Sequence, residues 1–211
     1  GTCWAEVGDL NTGRYLLTGS GTTTAGLAFG GDTDPGIKAL TELYNGTCWA
    51  EVGDLNTARR QLTGFGLATA SLAVGGSNPG VTAVTEQYNG TSWAEVADLA
   101  TARAALGSGK NGTTDSGIVF GGTSNTTATE EWNSGVPIGA WSTGGNINTS
   151  RSSLGGSPAG TQNAALASGG QVPPAGAITE LYNGSSWTEV ADMNTARYDV
   201  GSAGTSTSNL V

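Results

Sequence analysis

The residues of this chain that could do acid–base chemistry recur in regular series. The arginine series is Arg14, Arg59, Arg103, Arg151 and Arg197, and the glutamate series is Glu42, Glu86, Glu130 and Glu180. A glutamate can act as a general acid or base, and an arginine can bind a carboxylate. One identical residue per repeat, however, indicates a structural role, because a buried carboxylate needs a cationic or hydrogen-bonding partner. We therefore expect each arginine to pair with a glutamate inside the fold.

The residue types needed for enzymatic catalysis are poorly represented. The chain has no histidine, the commonest general base and metal ligand. It also contains no nucleophile elbow, phosphate-binding loop, zinc-ligand spacing or EF-hand. Paired carboxylates that hydrolyse a glycosidic bond remain an alternative, because spacing in sequence does not give the separation in the fold. We expect a protein that is not an enzyme, with no catalytic residue, cofactor or metal.

Composition and charge exclude several classes of partner. The net charge of −9 argues against nucleic acid, whose phosphates dominate binding. No apolar run approaches the roughly 18 residues that span a bilayer, so we expect no membrane insertion. The chain starts at Gly1 and its single methionine is Met193, which leaves a removed leader open. Cys3 and Cys48 lie at equivalent positions of successive repeats, where we expect free thiols, since such positions are usually farther apart than the ~7 Å that a disulfide spans.

The arginines belong to a larger repeat with a period of 44 to 48 residues. A tryptophan series precedes them by ten residues: Trp4, Trp49, Trp93, Trp141 and Trp187. A unit that recurs at this period cannot bury its own apolar face and must stack on its neighbours. The fold is therefore a stack or ring of similar units.

The second repeat shows what one unit contains. Four short segments, at 59–66, 67–76, 82–89 and 90–99, are rich in alternating or β-branched residues and end at Gly, Asn or Pro. Asn89-Gly90 predicts a tight hairpin of type I′, with positive φ at both central residues, and so do Asn45-Gly46 and Asn183-Gly184. Four antiparallel strands in about 45 residues match one blade of a β-propeller.

The joint spacing of several signals resembles the kelch repeat, the blade of kelch and galactose-oxidase-type propellers. The second strand ends in a double glycine: Gly30-Gly31, Gly75-Gly76, Gly121-Gly122 and Gly169-Gly170. The third strand carries Glu-x-aromatic, the aromatic residues being Tyr44, Tyr88, Trp132 and Tyr182. The tryptophan and the arginine of the next unit follow. The units are shorter and richer in Gly and Thr than typical kelch blades, and are similar to tandem repeats of environmental bacterial and phage-like proteins.

This resemblance implies an all-β propeller of four-stranded antiparallel blades in one domain, 1–211. The aromatic residues then pack between blades, and the double glycines lie where no Cβ fits. It does not imply a copper site of the galactose-oxidase type, which needs histidines. The units are 14–58, 59–102, 103–150 and 151–196, with a closing blade from 197–211 plus 1–13.

The closing blade is predicted to be incomplete. Aligning Arg197 with Arg14 places Val211 opposite Ala28, so the fifth unit lacks the stretch that contains the third strand. We predict five blades, the last shared by both termini, which hides strand edges that would otherwise pair with other chains. A segment of a longer array, or ring closure between chains, is the alternative, and the oligomeric state stays open.

Ligand contacts are expected in the connections between second and third strands, which vary most from unit to unit. The candidate binding residues there are Asp32, Asp34, Lys38, Asn78, Asn125 and Gln171. Asp32 and Asp34 could contact calcium, but two acids make a weak site, and we expect a solvated loop.

Three functions follow from this fold. The first is a non-enzymatic binding or display module that contacts protein or carbohydrate on a virion, tail fibre or cell surface, the favoured locations. The second is a multivalent lectin with about one site per blade. The third is a structural unit whose termini join a fibre. A lectin should repeat the same groups in every blade, whereas a protein-binding face should differ between blades.

Overall fold

The computed structural model describes residues 6–109, 113–124, 126–135, 139–157, 160–172, 176–205 and 207–210. Within these residues every regular element is a β-strand and every strand pair is antiparallel. No helix of the described chain has the length and hydropathy to cross a bilayer.

Four complete blades are four-stranded sheets whose strands follow one another in chain order. Blade 1 contains β1 (Thr18–Thr22), β2 (Ala25–Phe29), β5 (Thr41–Tyr44) and β6 (Trp49–Glu51). Blade 2 contains β7 (Thr63–Leu67), β8 (Ala70–Val74), β11 (Thr85–Tyr88) and β12 (Trp93–Glu95). Blade 3 contains β13 (Gly107–Ser108), β14 (Ser116–Phe120), β15 (Thr129–Asn133) and β16 (Ala140–Thr143). Blade 4 contains β17 (Gly155–Gly156), β18 (Ala165–Ser168), β19 (Thr179–Tyr182) and β20 (Trp187–Glu189).

The fifth blade is represented by the hairpin of β21 (Ala203–Thr205) and β22 (Ser208–Leu210). Two further short pairs lie in the connections between second and third strands, here called the 2–3 loops. They are β3 (Asp32–Thr33) with β4 (Gly36–Ile37), and β9 (Ser77–Asn78) with β10 (Gly80–Val81). The architecture is the predicted five-bladed all-β propeller. The N-terminal part of its closing blade lies partly in residues 1–5, outside the described residues.

The apolar core lies between blades, as stacking of incomplete units requires. One cluster joins Leu27 and Phe29 of blade 1 to Ala73, Tyr88 and Trp93 of blade 2, and two similar clusters join blades 2 and 3 and blades 3 and 4. The Trp93 ring lies 4.9 Å from the Phe29 ring of the preceding blade. Burial of such large rings is the main stabilising contribution to each interface.

The double glycines form the backbone joint between neighbouring units. Gly75 has φ +60° and Gly76 has φ +110°, and a Cβ on Gly75 would lie 2.5 Å from the carbonyl oxygen of Arg103 in the next unit. The amide of Gly76 donates to that same oxygen at 2.9 Å. Only glycine allows this close approach at positive φ.

The hairpin turns differ from the predicted type I′ geometry. Gly46, Gly90 and Gly184 have φ of +92° to +94°, but the preceding asparagines are not left-handed. Instead the Asn89 side-chain oxygen accepts hydrogen bonds from the amides of Thr91 and Ser92, both at 2.9 Å. The asparagine therefore closes the turn through its side chain, which a short amide or carboxylate does more strongly than a hydroxyl.

Candidate binding face

Four of the five repeated arginines and all four repeated glutamates are bound within the scaffold. In each complete unit the arginine contacts the glutamate of its own third strand at 2.6–2.8 Å, in the pairs Arg14–Glu42, Arg59–Glu86, Arg103–Glu130 and Arg151–Glu180. The Arg59 guanidinium also donates to the carbonyl oxygens of Gly75 (2.8 Å) and Val84 (2.6 Å). The second oxygen of Glu86 accepts from the backbone amide of Asn56 at 2.7 Å. These hydrogen bonds hold neighbouring strands together and occupy the polar atoms of the arginine and glutamate side chains.

Burial changes the electrostatics of these pairs. Desolvation lowers the pKa of Arg59, Arg103 and Arg151 below the usual value, and the neighbouring glutamate opposes that shift in each case. The Nε atom of Arg103 is buried without a hydrogen-bond partner. In its unit Ala100 stands where the others have asparagine. The network is therefore slightly less complete in blade 3.

A second repeated feature lies at the mouth of the central channel. Two residues after each arginine, the backbone adopts the left-handed conformation with φ between +51° and +54°. The five residues, here called the channel ring, are Leu16, Gln61, Ala105, Ser153 and Asp199. Such a conformation costs a non-glycine residue roughly 1–2 kcal/mol, so the surrounding structure must hold it in place.

Backbone hydrogen bonds link the channel ring from blade to blade. The Gln61 amide donates to the Leu16 carbonyl oxygen (2.9 Å), and the Ala105 amide donates to that of Gln61 (2.8 Å). The Ser153 amide donates to Ala105 (3.0 Å), and that of Asp199 donates to Ser153 (2.9 Å). These four links explain the left-handed backbone, because it turns each amide toward the previous blade.

The channel ring surrounds a cavity of about 420 Å³, which first-strand residues of all five units line. The backbone is the same in every unit, but the five side chains are one leucine, one glutamine, one alanine, one serine and one aspartate. The mouth is therefore fivefold in backbone and asymmetric in chemistry.

The 2–3 loops lie on the same face as the channel ring. In three units the residue just before the ring position forms a backbone bridge with the first residue of a 2–3 loop. The bridged pairs are Tyr15 with Asp32, Arg60 with Ser77, and Ser152 with Gln171. In the third unit the Thr123 amide donates to the Ala104 carbonyl oxygen at 2.8 Å. The variable loops and the variable ring thus form one continuous surface, here called the channel face.

The predicted loop residues have different surroundings on this face. Asp34, Asn78 and Gln171 are exposed, and the Lys38 ammonium donates to the Pro35 carbonyl oxygen at 3.3 Å. Asn125 lies outside the described residues.

Asp32 is buried and its carboxylate contacts the Arg60 guanidinium at 2.6 Å, so the expectation of a solvated loop is wrong for this residue. Arg60 belongs to the next unit, so this ion pair braces two neighbouring blades. The described residues contain no cluster of three acids or other metal ligands.

The remaining repeat positions are also placed by the structure. Trp93, Trp141 and Trp187 donate their indole N–H groups to threonine hydroxyls on the third strand of the preceding blade. Cys48 is exposed and carries a free thiol. Trp4 and Cys3 lie outside the described residues.

Sequence reasoning did not find the channel ring. Leucine, glutamine and alanine give no sign of a left-handed backbone, which glycine or asparagine normally marks. The one available signal was the change of residue type directly after each arginine, within a segment that otherwise hardly varies between units.

Comparison with solved structures supports the propeller fold. The chain superimposes on the β-propeller YjhT ("Structure of YjhT") with a TM-score of 0.71, over 90% of this chain and 74% of that chain, at 10% sequence identity. Searches against protein-family models and curated proteins found no match.

Proposed function

We propose that this chain is a non-enzymatic binding module whose channel face engages a single protein partner. The observation that carries the proposal is the asymmetry of the channel ring. A ligand bound once per blade would need the same side chains in every unit, whereas Leu16, Gln61, Ala105, Ser153 and Asp199 differ in size, polarity and charge. One partner that covers the mouth can use all five differences at once.

Exposed apolar side chains on the same face support a protein partner. Tyr15 is 53% exposed, Leu16 is 39% exposed and Tyr198 is 53% exposed. All three lie at or directly beside channel-ring positions, in units 5 and 1. Exposed tyrosine and leucine side chains beside a concave site are typical anchors of protein interfaces. Display on a virion, tail fibre or cell surface is the setting in which such a module would act.

A selection experiment tests this proposal. A displayed peptide library is selected on the intact chain, and the binders are measured against a variant with Tyr15→Ser, Leu16→Ser and Tyr198→Ser. The matched control is Leu67→Ser, because Leu67 is 56% exposed at the other end of its sheet, beside the hairpin between β7 and β8. We expect the channel-face variant to weaken binding about tenfold or more, as the loss of apolar anchors does, and the control to leave it unchanged.

Two results would contradict the proposal. Binders that tolerate the channel-face variant would place recognition elsewhere on the propeller. A glycan array, run in parallel with calcium and with chelator, that shows sugar binding at several equal sites per chain would instead support the lectin alternative.

A further inference from the structure

We propose that the fifth blade is an acceptor for an extended strand from outside residues 1–211, with the sequence pattern Thr-Glu-x-aromatic. This surface adjoins the channel mouth, since Leu17 and Thr18 line both cavities, but the inference rests on strand pairing and does not depend on the proposed function. It follows from three partners that the fifth blade, within the described residues, does not provide. The repeat provides the strand pairing and the arginine–glutamate pair four times, and the threonine acceptor of the tryptophan three times.

The first observation is an open sheet edge. In each complete blade the second strand pairs with the first strand on one side and with the third strand on the other, as β8 does with β7 and β11. In the described residues β22, the second strand of the fifth blade, pairs only with β21. Its other edge presents backbone groups to which an added strand can hydrogen-bond.

The second observation is an arginine without its glutamate. The backbone of Arg197 is held like that of the other arginines, since its carbonyl oxygen accepts from the Gly170 amide at 2.9 Å. Its side chain, however, is exposed and makes no ion pair or side-chain hydrogen bond with the described residues. The equivalent Arg151 is fully buried against Glu180 at 2.7 Å. A guanidinium placed in this way favours a carboxylate on the added strand.

The third observation is a tryptophan with a substitute acceptor. Trp93 donates its indole N–H to the Thr41 hydroxyl of the preceding blade at 3.0 Å. Trp49, whose preceding blade is the fifth, donates to the Gly8 carbonyl oxygen at 2.9 Å instead. In blades 1, 2 and 3 the accepting threonine directly precedes the glutamate, as in Thr41-Glu42. Arg197 and Trp49 therefore specify two adjacent residues of the missing strand, threonine and glutamate.

An apolar groove beside Trp49 provides space for the rest of the strand. It has a volume of about 560 Å³ and is lined in part by Leu10, Leu17, Leu27 and Trp49. In the neighbouring interface, Gly64 is covered by the ring of Phe29 from the preceding blade, whereas a Cβ at the equivalent Gly19 would meet only its own blade. The groove is thus the unfilled interface between blades 5 and 1.

A second folded copy of the chain does not fit this site. The four Thr-Glu pairs of the described chain are buried at 0–6% exposure inside complete blades. Releasing one would break its own blade. The occupant is therefore an extended segment with the same pattern from outside residues 1–211.

A peptide titration on the intact chain tests the inference. The probe is a fluorescent peptide with the sequence of residues 82–90, TAVTEQYNG, which is the third strand of blade 2. The matched control is the same peptide with Glu86→Gln. We expect saturable binding of the probe, and binding of the control that is weaker by about tenfold, as loss of a charge-assisted hydrogen bond predicts.

Variants of the chain test whether Arg197 causes the preference for the glutamate peptide. Arg197→Gln should remove the difference between the two peptides, whereas Lys38→Gln, a loss of the same charge elsewhere, should preserve it. A variant with only Tyr15→Ser and Leu16→Ser, which leaves Arg197 and its neighbour Tyr198 unchanged, should retain the preference for the glutamate peptide, which separates this result from the proposed function. Absence of saturable binding, equal affinity for both peptides, or a glutamate preference that survives Arg197→Gln would overturn the inference. A stable dimer in sedimentation without peptide would also overturn it, by assigning the open edge to a second copy.

Discussion

Tyr88 and Tyr182 occupy equivalent positions in blades 2 and 4, but only the Tyr182 hydroxyl has a hydrogen-bond partner. The Tyr182 hydroxyl donates to Glu131 of blade 3 at 2.5 Å. The residue equivalent to Glu131 in blade 1 is Leu43, which packs in the same cluster as Tyr88, and the Tyr88 hydroxyl is buried without a partner. Burial raises the pKa of both phenols, and Glu131 adds to the effect at Tyr182, whose pKa is raised to about 12.

Removing the two hydroxyls should therefore have opposite consequences. We expect Tyr182→Phe to lower the free energy of unfolding by roughly 1–2 kcal/mol, because it removes the donor to Glu131 Oε1, while Gln162 still donates to Oε2. Tyr88→Phe should be neutral or slightly stabilising, since it removes an unpaired polar group. Urea unfolding of the two variants measures this difference, and equal losses would contradict it.

The Tyr182 contribution should also depend on pH. Because the phenol loses its proton at a higher pH in the folded chain than in the unfolded one, its stabilisation is complete below about pH 10 and is lost as the pH rises toward about 12. The stability difference between the parent chain and Tyr182→Phe should shrink over that interval. A difference that stays constant would show that the hydrogen bond does not set the pKa.

At the scale of an element, the segment that starts each blade combines a clamp with a strained turn. The arginine side chain ties the segment to its own third strand, and two residues later the left-handed residue donates to the preceding blade. This three-residue segment thus connects strands within one blade and joins that blade to the preceding one. Its backbone is determined by these contacts and not by the preference of leucine, glutamine or alanine.

Glycine should relieve the strain at a ring position. We expect Ala105→Gly, at φ +53°, to stabilise the chain by roughly 0.5 kcal/mol, the relief of left-handed strain minus the chain entropy that glycine adds. Its neighbour Ala104 is fully buried and not left-handed, so Ala104→Gly should destabilise by roughly 1 kcal/mol. Thermal unfolding measures both changes. A loss of stability in Ala105→Gly would show that the turn stores no strain.

At the scale of the whole molecule, the five blades are not equivalent. Blades 2 and 3 have complete neighbours on both sides, whereas blades 1 and 4 have one complete neighbour each. The fifth blade, as far as the structure describes it, is a hairpin whose second strand has one open edge. Repeat proteins of this kind owe their stability to interfaces between neighbours, so an incomplete unit is the weakest point.

Amide hydrogen exchange should follow this order. We expect the amides of β21 and β22 to exchange faster than those of β7 and β8, which are the equivalent strands of a complete blade. Mass spectrometry of peptides that cover 203–210 and 63–74 provides the comparison. Equal protection of both segments would indicate that the fifth blade is already completed in solution.

Much of this architecture could be predicted from the sequence, because its signals are short local patterns that recur in every unit. The double glycines, the Glu-x-aromatic strands and the arginine spacing identified the blades and the five-bladed ring. Each signal depends on neighbours within one strand or turn, where side-chain alternation and positive φ have direct sequence signatures.

Only the tertiary structure decided which units touch and through which atoms. The channel ring, the Asp32–Arg60 ion pair and the Tyr182–Glu131 hydrogen bond join residues of different units. No short-range pattern marks such contacts, because they form only when neighbouring blades pack at a defined angle. The sequence thus determined what each blade is, and the closure of the ring determined what surface the blades present together.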